Sequence, residues 1–145
     1  MRHTVKWITL PLKEQIERDS FNENHDCTVV ALAAAADIPY REAHAILAKA
    51  GRRPRKGFKF RLWLDNQCFM ARMKNRDVVF GNYRVQRVRM DWPVTLAKVL
   101  RDFPRGRFIA RKRSHVFVVN DGQVLNLWQG VRTRITNLWY FEAIS

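Results

Sequence analysis

Three features of this chain predict an α+β fold in which N-terminal helices pack on a C-terminal antiparallel sheet. The segment Thr28 to Ala36 is apolar nearly all round, as a helix buried on most sides must be. Tyr40, Ala43, Ile46, Leu47 and Ala50 then recur at helical spacing. From Arg107 onward come four short β-prone runs separated by turn residues: Arg107 to Arg111, Ser114 to Val119, Val124 to Trp128 and Val131 to Asn137. The chain has 145 residues, 47% of them hydrophobic, with only 6 Gly and 5 Pro. That is one domain, 1–145, with enough apolar material for a core and no linker or repeat to divide it.

Taken in order, Val5, Trp7 and Thr9 alternate with Lys6 and Ile8 until Pro11, which predicts a short strand or extended arm. Leu12 to Asp19 is polar and reads as a turn or two of helix. Asp26 closes a polar run and is the N-cap candidate for the apolar helix, so Cys27 falls in its first turn. Pro39 suits the first position of the next helix, and Gly51 ends it. Arg52 to Arg61 is a basic loop, and Phe60 to Arg76 fits either a short helix or irregular structure. Val78 to Met90 reads as extended with a turn at Gly81 to Tyr83. Leu96, Val99, Leu100 and Phe103 predict a helix that Pro104 and Gly106 stop.

Charge narrows the partners. Lys and Arg number 27 against 13 Asp and Glu, a net +14, which points to a polyanion such as DNA or RNA, or to an acidic protein surface. The excess gathers in two runs. The candidate contacts are Arg52, Arg53, Arg55, Lys56, Lys59 and Arg61 in the first, and Arg111, Lys112 and Arg113 in the second, which begins at Arg105 and Arg107. A merely solvated surface is the competing reading. Phe58, Phe60 and Trp63 beside the first run resemble a stacking platform for single strands, although core packing explains such aromatics equally well. No stretch approaches the ~18 apolar residues of a membrane span, and Met1 to Leu12 has no apolar signal core, so neither a membrane nor secretion is expected. In a reducing compartment Cys27 and Cys68 are then structural, metal-binding or catalytic. His25, His44 and Cys68 match no zinc spacing, and no metal or organic cofactor is expected.

A chemical constellation follows from the turn Asp121-Gly122. Read as a two-residue hairpin, it sets Val119 opposite Val124, Phe117 opposite Asn126 and His115 opposite Trp128. His115 and Asn126 then share a face as diagonal neighbours, roughly 7 Å apart at Cα. A nucleophilic thiol needs an imidazole to take its proton and an amide to fix the imidazole's tautomer. Cys27 has a helix start to favour its thiolate, and Trp128 can shield the His115–Asn126 hydrogen bond.

Asp26-Cys27 opening a buried helix, a late His115, and Asn126-Leu127-Trp128 together resemble the papain-fold cysteine peptidases. The Asp-Cys pair and the short chain are similar to the double-glycine leader peptidases, and especially to small papain-like proteins encoded by bacteriophages. The resemblance covers Asn22 to Gly51 and Arg105 to Trp139. It implies a minimal papain-like fold with Cys27 as nucleophile, His115 as base and acid, and Asn126 as the orienting residue. The implied activity is hydrolysis of a peptide or isopeptide bond in a protein substrate, in the host cytoplasm or a virion. The family's oxyanion Gln falls on Phe21, so Asn22 or Asn24 has to supply that donor. Otherwise the chain is an inactive relative, a basic nucleic-acid-associated protein or a component of a phage particle.

Overall fold

The computed structural model describes the backbone of residues 6–8, and residues 26–54, 56, 58–113, 115–125 and 130–144. Four helices are present among them: α1 (Cys27–Ala36), α2 (Tyr40–Lys49), α3 (Phe60–Met73) and α4 (Leu96–Asp102). The strands are β1 (Lys6–Ile8), β2 (Val78–Phe80), β3 (Tyr83–Arg87), β4 (Val94–Thr95), β5 (Arg107–Lys112), β6 (His115–Asn120), β7 (Gln123–Leu125), β8 (Arg134–Ile135) and β9 (Asn137–Ala143). The main sheet runs β1-β7-β6-β5-β9-β3-β2, antiparallel throughout except for the parallel edge strand β1, and β4 pairs with β8 in a small second sheet. The fold is α+β, with the N-terminal helices on the antiparallel sheet.

Strand parity sorts the core into two layers. Val116, Val118, Ile109, Leu125, Trp139, Phe141 and Val85 face α1, α2 and α3. Phe108, Ala110, Phe117, Val119, Val124 and Leu138 face α4 and Ile135 of the small sheet. α1 is apolar all round because it lies between the sheet and α2, so every side of it is covered. Asp26 does precede it, yet its carboxylate accepts a 2.8 Å hydrogen bond from the Tyr40 hydroxyl instead of capping the helix. That buried bond ties the start of α1 to the start of α2.

Two segments depart from the sequence expectation. Phe60–Met73 is a full helix, whose pattern is blurred because Leu62, Phe69, Met70 and Met73 stand exposed on the side away from Phe60 and Leu64. The last predicted run, Val131 to Asn137, contains the two-residue β8 and only the first residue of the long strand β9. Leu138, Trp139 and Phe141 are buried on both faces of the sheet, so β9 has no alternation to announce it. The strand predicted near Val5 is present as β1, and the helix read at Leu12 to Asp19 lies outside the described residues. The hairpin register holds as far as it is described: Val119 faces Val124 and Asn120 faces Gln123. Its turn has φ +49° at Asp121 and +77° at Gly122, the positive values that a two-residue hairpin needs. Among the described residues, no helix is long and apolar enough to cross a membrane.

Candidate functional site

Cys27 occupies the first turn of α1, half-buried against the helical-face core. The far end of α1 is fixed by Arg107, whose guanidinium donates to the carbonyls of Ala34 and Ala35 at 3.2 and 3.3 Å and lies 4.7 Å over the Tyr83 ring. A cation at a helix C-terminus is favourable in itself. Arg107 stands at one end of the β5–β6 ladder and His115 at the other, opposite Lys112. Since α1 packs along β6 and is ~15 Å long, Cys27 lies toward the His115 end.

Parity then separates the two side chains. The His115 ring stacks on Phe117, with centroids 6.4 Å apart and planes 22° apart, and Phe117 belongs to the α4-face core. Val116, the next residue, belongs to the helical-face core with Cys27. The thiol and the imidazole therefore share an end of the sheet but not a face. Asn126, Trp128, Asn22 and Asn24 lie outside the described residues, as does His25. His115 is half-buried, and burial, followed by the nearby Lys112 charge, holds its pKa below the usual imidazole range. It is the neutral ring that the fold accommodates.

Cys68 sits in α3, where burial first and Asp65 second push its thiol up to about 11, against the pull of Arg72 and Arg87. That agrees with a structural role. His44 is half-buried on α2 with its ring 6.0 Å from that of Tyr40, and no three metal-ligating side chains gather among the described residues.

The basic runs divide by the same parity. Arg111 turns to the helical face, where it donates to Thr136 Oγ1 at 3.0 Å and Asn137 Oδ1 at 3.1 Å. Burial, followed by the Arg61 charge, lowers its pKa, which brings the first run near the second at that point. Arg52 is 4% exposed. These two, expected to meet a polyanion, are instead built into the fold, Arg52 by burial and Arg111 by its bonds to Thr136 and Asn137. Arg53, Lys56, Lys59 and Arg61 are exposed, and Arg55 lies outside the described residues. Phe58, Phe60 and Trp63 pack on one another and on Phe80 and Trp139 at 5.6 to 6.0 Å, a core cluster and no platform.

Lys112 and Arg113 have a different fate. With Arg134, His115, Thr133 and Thr136 they line an open cleft of about 580 Å³ on the α4 face. No carboxylate among the described residues lines it, and none of the ion pairs among them includes Lys112, Arg113 or Arg134.

No protein-family model, curated protein or solved structure matches this chain. The site is accordingly read from its own chemistry. Three cations, an imidazole and the Thr133 hydroxyl around one cleft form a set of hydrogen-bond donors suited to phosphate oxygens. Sequence reasoning found Lys112 and Arg113 but missed Arg134, Thr133 and Thr136. Arg134 stands outside both basic runs, with Arg132 as its only basic neighbour, and it is the fold that brings it to the cleft beside Lys112, Arg113 and His115.

Proposed function

We propose that this chain is a nucleic-acid-binding protein that engages phosphates through the His115 cleft. The observation that carries the reading is the gathering of Lys112, Arg113 and Arg134 with no carboxylate beside them among the described residues. In a +14 protein such a cleft concentrates positive potential where a backbone can enter it. The Thr133 hydroxyl adds a neutral donor to phosphate oxygens. None of the described helices has the form of a groove reader, so this reading has binding independent of base sequence. The test is the salt dependence of binding to a short duplex. The triple variant Lys112→Ala, Arg113→Ala, Arg134→Ala has three fewer phosphate contacts, so its plot of log K against log salt is shallower by ~2.7. A charge-matched triple at exposed Lys49, Lys74 and Arg76, outside both basic runs, keeps the wild-type slope. Equal effects from both triples overturn the reading.

A second reading, thiol-dependent hydrolysis on a papain-like fold, is favoured by one observation: Cys27 sits half-buried in the first turn of α1, toward the end of the sheet where His115 begins β6. The resemblance of Asp26-Cys27, His115 and Asn126 to the papain-like peptidases belongs to this reading. Its base is His115 only if that first residue of β6 leaves the pleat and swings to the helical face. Iodoacetamide at pH 6 then labels Cys27 far faster than Cys68, and Cys27→Ala abolishes hydrolysis while salt-dependent binding persists. Equal slow labelling of both thiols removes this reading and leaves the first intact.

A further inference from the structure

A second cleft, of about 370 Å³, opens between α3 and the segment 88–92. Phe69, Val88, Met90 and Trp92 give it apolar walls, and Arg72 and Arg89 stand at its rim. Phe69 is 58% exposed, and Met70 and Met73 beside it are exposed as well, an apolar patch of the kind that marks a contact surface. Asp65, the one carboxylate lining the cleft among the described residues, is already engaged: Arg87 lies 3.4 Å and Arg61 3.8 Å from it, and the Trp139 indole donates to it at 3.1 Å. Arg72 and Arg89 enter none of the ion pairs among the described residues. Trp92 lines this cleft and its chain neighbour Pro93 lines the His115 cleft, so consecutive residues border the two.

We propose that this second cleft takes the bases of an unpaired nucleic-acid strand whose phosphates continue past Trp92–Pro93 into the His115 cleft. The inference rests on the nucleic-acid reading above and names the form of ligand. A duplex turns its base faces inward, and only a single strand offers flat apolar rings together with phosphates along one line. Aromatic faces and guanidinium groups stack on every base, so such a surface is tolerant of sequence. An acidic peptide would satisfy the two guanidiniums but does not supply a ring beside every charge, which makes it the competing occupant.

Fluorescence anisotropy decides, with a labelled oligothymidylate of about 20 nucleotides, which exceeds the ~4 to 16 nucleotides of a compact single-strand site, and a duplex of equal length. Polyphosphate and polyglutamate serve as competitors. The oligothymidylate binds more tightly than the duplex, and polyphosphate displaces it poorly. Phe69→Ala, a change at an exposed ring, weakens the oligothymidylate by about ten-fold and leaves the duplex unchanged. The oligothymidylate quenches indole emission, and Trp92→Phe, which keeps a ring for packing, loses part of that quenching. Equal affinity for single strand and duplex, or an unchanged oligothymidylate affinity in Phe69→Ala, overturns the inference while the phosphate reading stands. Polyglutamate displacing the strand more readily than polyphosphate does overturns it in favour of a protein partner. Failure of every polyanion to bind overturns both.

Discussion

Arg111 and Lys112 are neighbours in β5, yet they lie on opposite faces of the sheet and in opposite circumstances. On the helical face the charged groups are engaged by several partners. Arg111 meets Thr136 and Asn137, Arg107 meets the last carbonyls of α1, and Asp65 holds Arg87, Arg61 and the Trp139 indole. On the α4 face, Lys112, Arg113 and Arg134 surround a cleft that holds no carboxylate among the described residues. The difference teaches that a run of basic residues is no unit of function. A strand deals its charges alternately to two environments, one where a guanidinium is part of the core's hydrogen bonding and one where it faces solvent. Stability and binding should therefore respond to different members of one run.

The largest effect is expected at the centre of the helical face. Trp139 is fully buried, meets Phe60 edge-on at 5.6 Å and donates to Asp65, so Trp139→Ala costs about 3–5 kcal/mol in urea unfolding. Single alanine changes at Lys112, Arg113 or Arg134 stay within about 0.5 kcal/mol. Should the cleft cations cost as much as Trp139, the two faces are not different in kind. Arg111→Ala comes next, at about 1–2 kcal/mol, since buried Asn137 loses a charged donor but keeps the Thr136 hydroxyl at 3.2 Å.

The smallest effect concerns pH. Burial and Lys112 depress the folded pKa of His115 below its unfolded value of about 6.5. The stability it contributes is thus fully present above pH 6.5 and is lost as pH falls through the folded value. A bound phosphate raises that pKa, so affinity for a nucleic acid strengthens as pH falls from 8 toward 5. An NMR titration of the imidazole, free and with an oligonucleotide, checks both signs. Lys112→Ala should raise the free value, and an unchanged titration would remove Lys112 from the ring's surroundings.

Much of the frame was legible. The all-round apolar run predicted a covered helix at Thr28 to Ala36, and Asp121-Gly122 predicted the pairing of Val119 with Val124. What the pattern does not carry is the face to which each side of a strand turns. β6 is apolar on both sides, with Val116 and Val118 on one and Phe117 and Val119 on the other, so nothing in its alternation says which side meets α1. That choice belongs to long-range packing, and it is the choice that parts Cys27 from His115. α3 was obscured for a related reason, because Leu62, Phe69 and Met73 give its outer face an apolar character that a solvated helix lacks.

The central claim, that parity decides which basic residues bind, is tested most directly by the salt dependence of duplex binding for Arg111→Ala and Lys112→Ala side by side. The two variants remove the same charge at adjacent positions. Lys112→Ala should make the slope shallower by ~0.9, one phosphate contact, while Arg111→Ala leaves it unchanged. Equal changes in slope for both, or a change for Arg111→Ala alone, would contradict it.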